Sequence, residues 1–441
     1  MSRLARWFQP VTDERRQLNP FSRDSPLAAS YLCVFLYSSG EAALHVLVPP
    51  YLSDGLGYGP GIIGLLLAVF ALSSLVLRLP VGASYSADRV RPILLVGGLL
   101  STGAFVVVPL TQSAVLLGVL LAMDGVGWAM ATTTQLTVLV ASRPSRLSIA
   151  SAMGWYSGFT GLGHALGAAT AGIAADAVGY TAGFLLLASM PALATVVMLR
   201  ALPAQLAAAH AKRLETVNPG PDGAEEPDPA PVRDPERSGV LATLRAAGAL
   251  PLAVFSGAMI MFFINVQSAL FGSFHPVLAL SAGLTLTQIG VLASCRSLAS
   301  SVTRMGLGVL FARTSGSWLT TPMLLLGAAT LFLLPIVRAE FWLQVVLFLA
   351  AGLSRGILRV TGASMAFEGV GGEGERQQGL VAAWLHIGLD LGKVAGPPLG
   401  GLVAELVGVP AMFQVSAVVL VVAYLAFWAA ARIARTRRRP G

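Results

Sequence analysis

The sequence predicts an all-α integral membrane protein, with twelve transmembrane helices in two pseudo-symmetric six-helix bundles. Three observations carry that prediction. Of 441 residues, 55% are hydrophobic and only 11% charged, whereas a soluble domain carries about 25% charged residues. Twelve apolar runs, near the roughly 20 residues that cross a hydrocarbon core, fall into two groups of six with a polar stretch between them. The second group also repeats the first.

The elements follow in order. A polar, basic segment, residues 1–26, shows no cleavable signal pattern and reads as cytoplasmic. The first bundle, 27–200, holds runs near 27–52, 60–81, 93–112, 113–138, 148–172 and 178–199. Residues 201–247 form a cytoplasmic linker. Its centre, 216–239, packs six prolines and six acidic residues into 24 positions. Too little apolar surface remains there to fold, so that centre is predicted to be disordered. Its flanks, with Lys212, Arg213 and Arg245, read as amphipathic and interfacial. The second bundle, 248–431, holds runs near 248–274, 284–307, 317–337, 340–366, 379–403 and 410–431, and a basic cytoplasmic tail, 432–441, follows. Cys33 and Cys295 both lie inside apolar runs and read as small buried hydrophobes, because metal sites need clustered ligands at fixed spacing.

Charge placement sets the orientation. With the N-terminus inside, 22 Lys and Arg residues fall in cytoplasmic segments and one, Arg338, falls outside. Cytoplasmic connections attract such an excess. Both termini are therefore expected inside a bacterial cytoplasmic (inner) membrane crossed many times. The same bias accounts for the formal net charge of +8, and nucleic acid is not needed as a partner.

At an offset of 226, "GYGPGIIGLLLAVFALSSLVLRLPVG" (57–82) lies on "GLTLTQIGVLASCRSLASSVTRMGLG" (283–308). Gly57, Ile63, Gly64, Leu66, Leu72, Ser74, Val76, Arg78 and Gly82 recur, Pro50 falls on Pro276, and Glu41 falls on Gln267. At an offset of 229, "WYSGFTGLGHALGAATAGIAADAVG" (155–179) lies on "WLHIGLDLGKVAGPPLGGLVAELVG" (384–408), with Asp176 on Glu405.

Two ordered repeat blocks, "GASYSADRVRP" after the second span with Asp88, Arg89 and Arg91, and "GPPLGG" (396–401) in the eleventh span, resemble the major facilitator superfamily over essentially all the spans. That family is built from two parallel six-helix halves about an axis along the membrane normal. The loop after span 2 departs from the family pattern in spacing and lacks its second glycine. Span 4, "LAMDGVG", has Leu121 and Asp124 where the family's antiporters have arginine and glutamine. The resemblance implies that spans 1, 4, 7 and 10 line a central cavity, that 2, 5, 8 and 11 flank it, and that 3, 6, 9 and 12 face lipid.

The ionisable residues at mid-span agree with that arrangement. They are Glu41 and His45 in span 1, Asp124 in span 4, His164 in span 5, Arg296 in span 8, Arg355 and Arg359 in span 10, and His386, Asp390 and Lys393 in span 11; spans 3, 6, 9 and 12 have none. Intramembrane charges belong in a bundle interior or a wet cavity. Asp390 and Lys393, three apart, are placed to pair. Arg355 and Arg359, four apart on one face, repel unless an anion lies between them. Arginines of the second half are the expected compensation for Glu41.

No nucleotide loop, metal-ligand cluster or nucleophile constellation is present, so the expectation is a transporter and not an enzyme, with no cofactor and no metal. The energy source is then an ion gradient or the solute's own. Glu41, Asp124 and Asp390 are the proton-coupling candidates. Substrate-binding candidates are Arg355, Arg296, Lys393, Arg359, Gln267, Asn265, His164, Trp155 and Trp384. Asp88, Arg89, Arg91, Arg78 and Arg304 read as gate residues at the cytoplasmic face. The first functional reading is proton-coupled efflux, by antiport, of an amphipathic or drug-like small molecule by a monomer in the lipid bilayer. The alternatives are proton symport of an organic anion and a non-transporting receptor or scaffold.

Overall fold

The structure, a computed structural model, describes residues 27–83, 86–142, 149–217, 251–310, 316–368 and 375–437. Among them run twelve α-helices. The first six are α1 (Ala28–Pro50), α2 (Pro60–Ala83), α3 (Ala87–Val107), α4 (Ala114–Ser142), α5 (Ile149–Val178) and α6 (Tyr180–Val217). The second six are α7 (Leu252–Ser281), α8 (Leu286–Leu310), α9 (Thr320–Leu333), α10 (Phe341–Glu368), α11 (Glu375–Val407) and α12 (Val409–Arg437). Among the described residues, eight of these are long and apolar enough to cross a membrane: α1 to α4, α6, α7, α10 and α12. Helix α9 is a shorter apolar helix.

The segment 1–26, residues 218–250 of the linker and the tail beyond 437 lie outside the described residues. Helix α6 runs to Val217, well past the end of its apolar run, because "ALPAQLAAAHAKRLE" (201–215) is rich in strong helix formers. The linker flank expected from residue 201 is thus a helical continuation.

Helix α5 packs on α1, α4 on α2 and α3, and α6 on α1 and α3; in the second half α11 packs on α7, and α10 on α7, α8 and α9. Helices α3, α6, α9 and α12 turn apolar side chains such as Leu99, Leu193, Phe332 and Val419 outward, as lipid contact requires. Between the halves, α5 lies along α8, α2 lies along α11, and α1 touches α7.

The two long seams are copies of one another. A Cβ on Gly64 of α2 would stand 2.3 Å from the Pro397 carbonyl oxygen of α11, and one on Gly290 of α8 would stand 2.3 Å from that of Ala168 in α5. These positions correspond at the two repeat offsets. Only glycine admits backbones that close, and small residues at such contacts hold membrane helices together. One turn further out, the Asp176 carboxylate accepts hydrogen bonds from the Leu286 and Thr287 amides (3.1 and 2.6 Å), which open α8. Its counterpart Glu405 accepts one from the Gly61 amide (3.0 Å), which opens α2. Each half therefore lends a carboxylate to the unsatisfied amides that begin a helix of the other half. Among the described residues the four glycines with positive φ, Gly57, Gly179, Gly283 and Gly408, form two repeat pairs at the turns on this same face, which charge placement predicts to be outer.

Candidate functional site

The site is built by close helix contact. A Cβ on Gly163 or Gly167 of α5 would fall 2.3 Å from the Phe35 oxygen or 2.1 Å from the Ser39 oxygen of α1. That approach sets His164 beside Glu41. His164 Nε2 lies 3.0 Å from Glu41 Oε2, and its Nδ1 lies 2.7 Å from the Thr160 carbonyl oxygen. From across the seam, Lys393 Nζ donates to Glu41 Oε1 at 3.2 Å. His164 and Lys393 occupy the same position in the two repeats. One carboxylate is thus gripped by two symmetry-related side chains, one from each half.

The hydrogen-bond roles follow from chemistry. A carbonyl oxygen only accepts, so His164 Nδ1 carries a hydrogen. In a neutral ring Nε2 is then bare, and it cannot bond an ionised carboxylate. The 3.0 Å contact consequently requires a proton between the two groups, either on His164 as imidazolium or on Glu41 as the acid.

The expected Asp390–Lys393 pair does not form. Among the described residues the ion pairs are His164–Glu41 and Lys393–Glu41. The Glu41 carboxylate is 7% exposed and the lysine 42%. At 3.2 Å and an effective dielectric near 20 the gross attraction is about 5 kcal/mol. A more solvated Asp390 offers less. The compensation expected from arginines is likewise supplied by a lysine and a histidine.

Other candidates separate by location. Arg296 of α8 stands 5.1 Å from the Phe271 ring centre, and its Nε is buried without a hydrogen-bond partner among the described residues. Arg355 and Arg359 are half-buried on α10 and form no ion pair among the described residues. Arg304 donates to the Ser157 hydroxyl of α5 at 3.0 Å, and to the Ser301 hydroxyl and Ser300 oxygen, so it ties the two halves. Arg78 is half-buried on α2, whereas Asp88, Arg89 and Arg91 stand exposed at the start of α3. Asp124 is buried between α4 and α3, where the Ser101 hydroxyl donates to its backbone oxygen. His386 is exposed and Asp390 half-buried on α11.

Gln267 and Asn265 turn away from Glu41. Gln267 Nε2 donates to the Gly327 oxygen (2.6 Å) and the Thr330 hydroxyl (3.3 Å) of α9, and Asn265 Nδ2 donates to the Leu389 oxygen (2.8 Å) of α11. Both side-chain amide nitrogens brace the second bundle. Trp155 lies near Phe159, and its repeat partner Trp384 packs edge-on against Phe255. Sequence reasoning passed over His275. It is fully buried on α7, where its Nε2 donates to Gln344 Oε1 of α10 at 2.7 Å and its ring packs on Phe348. Gln344, a lone amide in an apolar run, was the available signal.

No curated protein matches the chain in sequence. Among solved structures, the nucleoside transporter NupG is similar, with a TM-score of 0.69 and 10% identity over 92% of this chain and 98% of that one. A bacterial homologue of the human lysosomal transporter Spinster, in an inward-facing and unoccupied conformation, is similar with a TM-score of 0.65 and 16% identity over 92% and 96%. At such identities the likeness concerns the fold. The sequence itself matches the Major Facilitator Superfamily profile over residues 30–272 and again over 255–441, nearly the whole described chain. The twelve helices, the two copied seams and the profile agree: this protein belongs to the Major Facilitator Superfamily and is a multi-pass membrane transporter.

Proposed function

We propose that this protein is a proton-coupled secondary transporter of a small organic solute, working by alternating access, and that Glu41 and His164 together hold the coupled proton. The single observation that carries this reading is the His164 contact, whose geometry demands a proton between imidazole and carboxylate. Sitting at the seam, the pair also meets Lys393 of the opposite half. Relative motion of the halves would change how strongly Glu41 is held, and with it the readiness of the pair to release a proton.

Carboxylate caps fasten both seams at the face expected to be outer, and with both termini cytoplasmic, as charge placement predicts, the reading is of an inward-facing state. The structure of the Spinster homologue is itself inward-facing. Efflux of a cationic or amphipathic drug by antiport would use Glu41 as a free acid. The engagement of both its oxygens counts against that route. A non-transporting receptor or scaffold has no use for a charged layer at mid-membrane. The bacterial inner membrane and a monomeric transport unit complete the reading.

Proteoliposomes with an imposed pH gradient test the coupling. The wild type is expected to accumulate its solute with the gradient. Glu41→Gln should still exchange labelled for unlabelled solute but lose gradient-driven accumulation by about ten-fold or more, as for removal of a positioned proton-transfer group. Unchanged pH dependence in that variant would refute the proposal.

A further inference from the structure

We infer that the solute is an oxyanion bearing at least two negative charges, a phosphate ester or a dicarboxylate, bound by Arg296, Arg355 and Arg359 of the second half. The inference rests on the transporter reading and names its substrate class.

Helices α8 and α10 approach closely. A Cβ on Gly352 would stand 2.4 Å from the Arg296 carbonyl oxygen, and one on Gly356 would stand 2.8 Å from Thr303 Cβ. This contact gathers Arg296 and Arg304 of α8 with Arg355 and Arg359 of α10. Gly352 and Gly356 bracket Arg355 on α10, and they pack on Arg296 and Thr303 of α8, so like charges are carried on two tightly apposed stretches. Glu41 has both its oxygens already bonded to Lys393 and His164. Asp124 lies against α3, and Asp390 makes no ion pair among the described residues. His45, with an unbonded buried Nδ1, and His386 add no negative charge. Arg304 spends its donors on serine oxygens.

Three arginines in the middle of two membrane helices are therefore left without a described acid. Such charges are retained in a membrane when they serve a solute pathway. The guanidinium is planar and forked, and it matches the paired oxygens of a carboxylate or phosphate. The Arg296 guanidinium rests near the Phe271 ring while its Nε lacks a partner, so a donor stays free for a ligand. One charge on the solute would leave the cluster strongly positive. Two or more would balance Arg355 and Arg359, which lie four residues apart on one face of α10.

The test is thermal unfolding of the full chain in detergent, with no pH gradient, at constant ionic strength. The probes are phenyl phosphate, succinate and inorganic phosphate, against chloride and the lipophilic cation tetraphenylphosphonium. At least one dianion should raise the melting temperature above the chloride control, and the cation should not. Arg355→Gln should shift half-saturation by about ten-fold or more, and Arg355→Lys, which keeps the charge but loses the fork, should fall between. Without ligand, Arg355→Gln should melt no lower than wild type, since a repelling charge has gone; Arg359→Gln serves if the first variant does not fold. Phosphatidic acid in delipidated protein separates the sources: stabilisation by it alone, lost in Arg355→Gln, would place the same chemistry on a lipid headgroup. Equal stabilisation by chloride and dianions, or a dianion shift untouched by both arginine variants, would overturn the inference. Glu41→Gln should keep the dianion shift, so failure of proton coupling and failure of the anion site give different results.

Discussion

At the scale of single residues, the midplane turns on which partner a charge reaches. Lys393 and Asp390 share a helix face in the sequence, yet Lys393 crosses to Glu41 because a buried carboxylate attracts it more strongly than a half-exposed neighbour. Removing the lysine charge by Lys393→Met leaves Glu41 Oε1 buried and unbonded, which costs about 1–3 kcal/mol and should lower the melting temperature. Asp390→Asn, which breaks no described ion pair, should change it little. Equal effects from both would show that the cross-seam contact is not the one that matters. The His164 contact has its own signature, because nitrogen chemical shifts distinguish protonated from bare ring nitrogens. In protein labelled at histidine with nitrogen-15, the His164 signal, identified by its loss in His164→Asn, should show a protonated Nδ1 throughout. The bond to Glu41 exists only while a proton is held between the two groups. In Glu41→Gln the amide can donate to a bare Nε2 and keep the contact without that proton. A bare Nδ1 would exclude the arrangement. None of this was legible in the sequence beyond the residue types. Spacing places Glu41, His164 and Lys393 near one depth, but the rotation of each helix about its axis decides which of them meet.

At the scale of elements, hydropathy predicted all twelve helices, and their ends moved by at most seven residues except where α6 continues to Val217. The glycines that set the seams were present in the repeat alignment as shared small residues. Their function appeared only when Gly64 and Gly290 were found against carbonyl oxygens of α11 and α5. Gln267 shows the limit of reading by alignment: its place opposite Glu41 suggested a site residue, whereas its side chain bonds to α9. The carboxylate caps at the ends of α5 and α11 give the element-scale prediction. Asp176→Asn with Glu405→Gln weakens all three charge-assisted bonds at the face expected to be outer and should shift the population towards an opening of that face. Distances between spin labels on the turns preceding α2 and α8 and those following α5 and α11 should broaden towards longer values, while the melting temperature falls modestly. No change in the distance distribution would mean that the caps do not hold that face.

At the scale of the whole molecule, two copies of one six-helix unit close around a single asymmetric position. Everything at the outer seams is doubled, and the exception is the residue at the centre, where Glu41 faces the axis and Gln267 does not. The sequence displayed the doubling through its offsets. It could not display the conformation, because both faces of an alternating-access protein are assembled from the same residues. In a chain with Cys33 and Cys295 replaced by alanine, a cysteine at position 355 should react with a membrane-impermeant thiol reagent added on the side of the termini. Reaction from the opposite side only would place the opening on the other face.

The caps at the outer seams also bear on how mutation can reach this protein. On one side of each contact stands a carboxylate, which a single codon change removes. On the other stands a main-chain amide, which nineteen of the twenty amino acids supply equally well. Proline alone deletes it, but a Cβ at Gly61 would meet Glu405 Oε1 at 3.0 Å, and Asp176 keeps the Leu286 amide when that of Thr287 is lost, so the two sides of each contact are unequally exposed to mutation. Loss of a single codon, that of Asp176 or Glu405, is therefore the most direct route to unfastening this face.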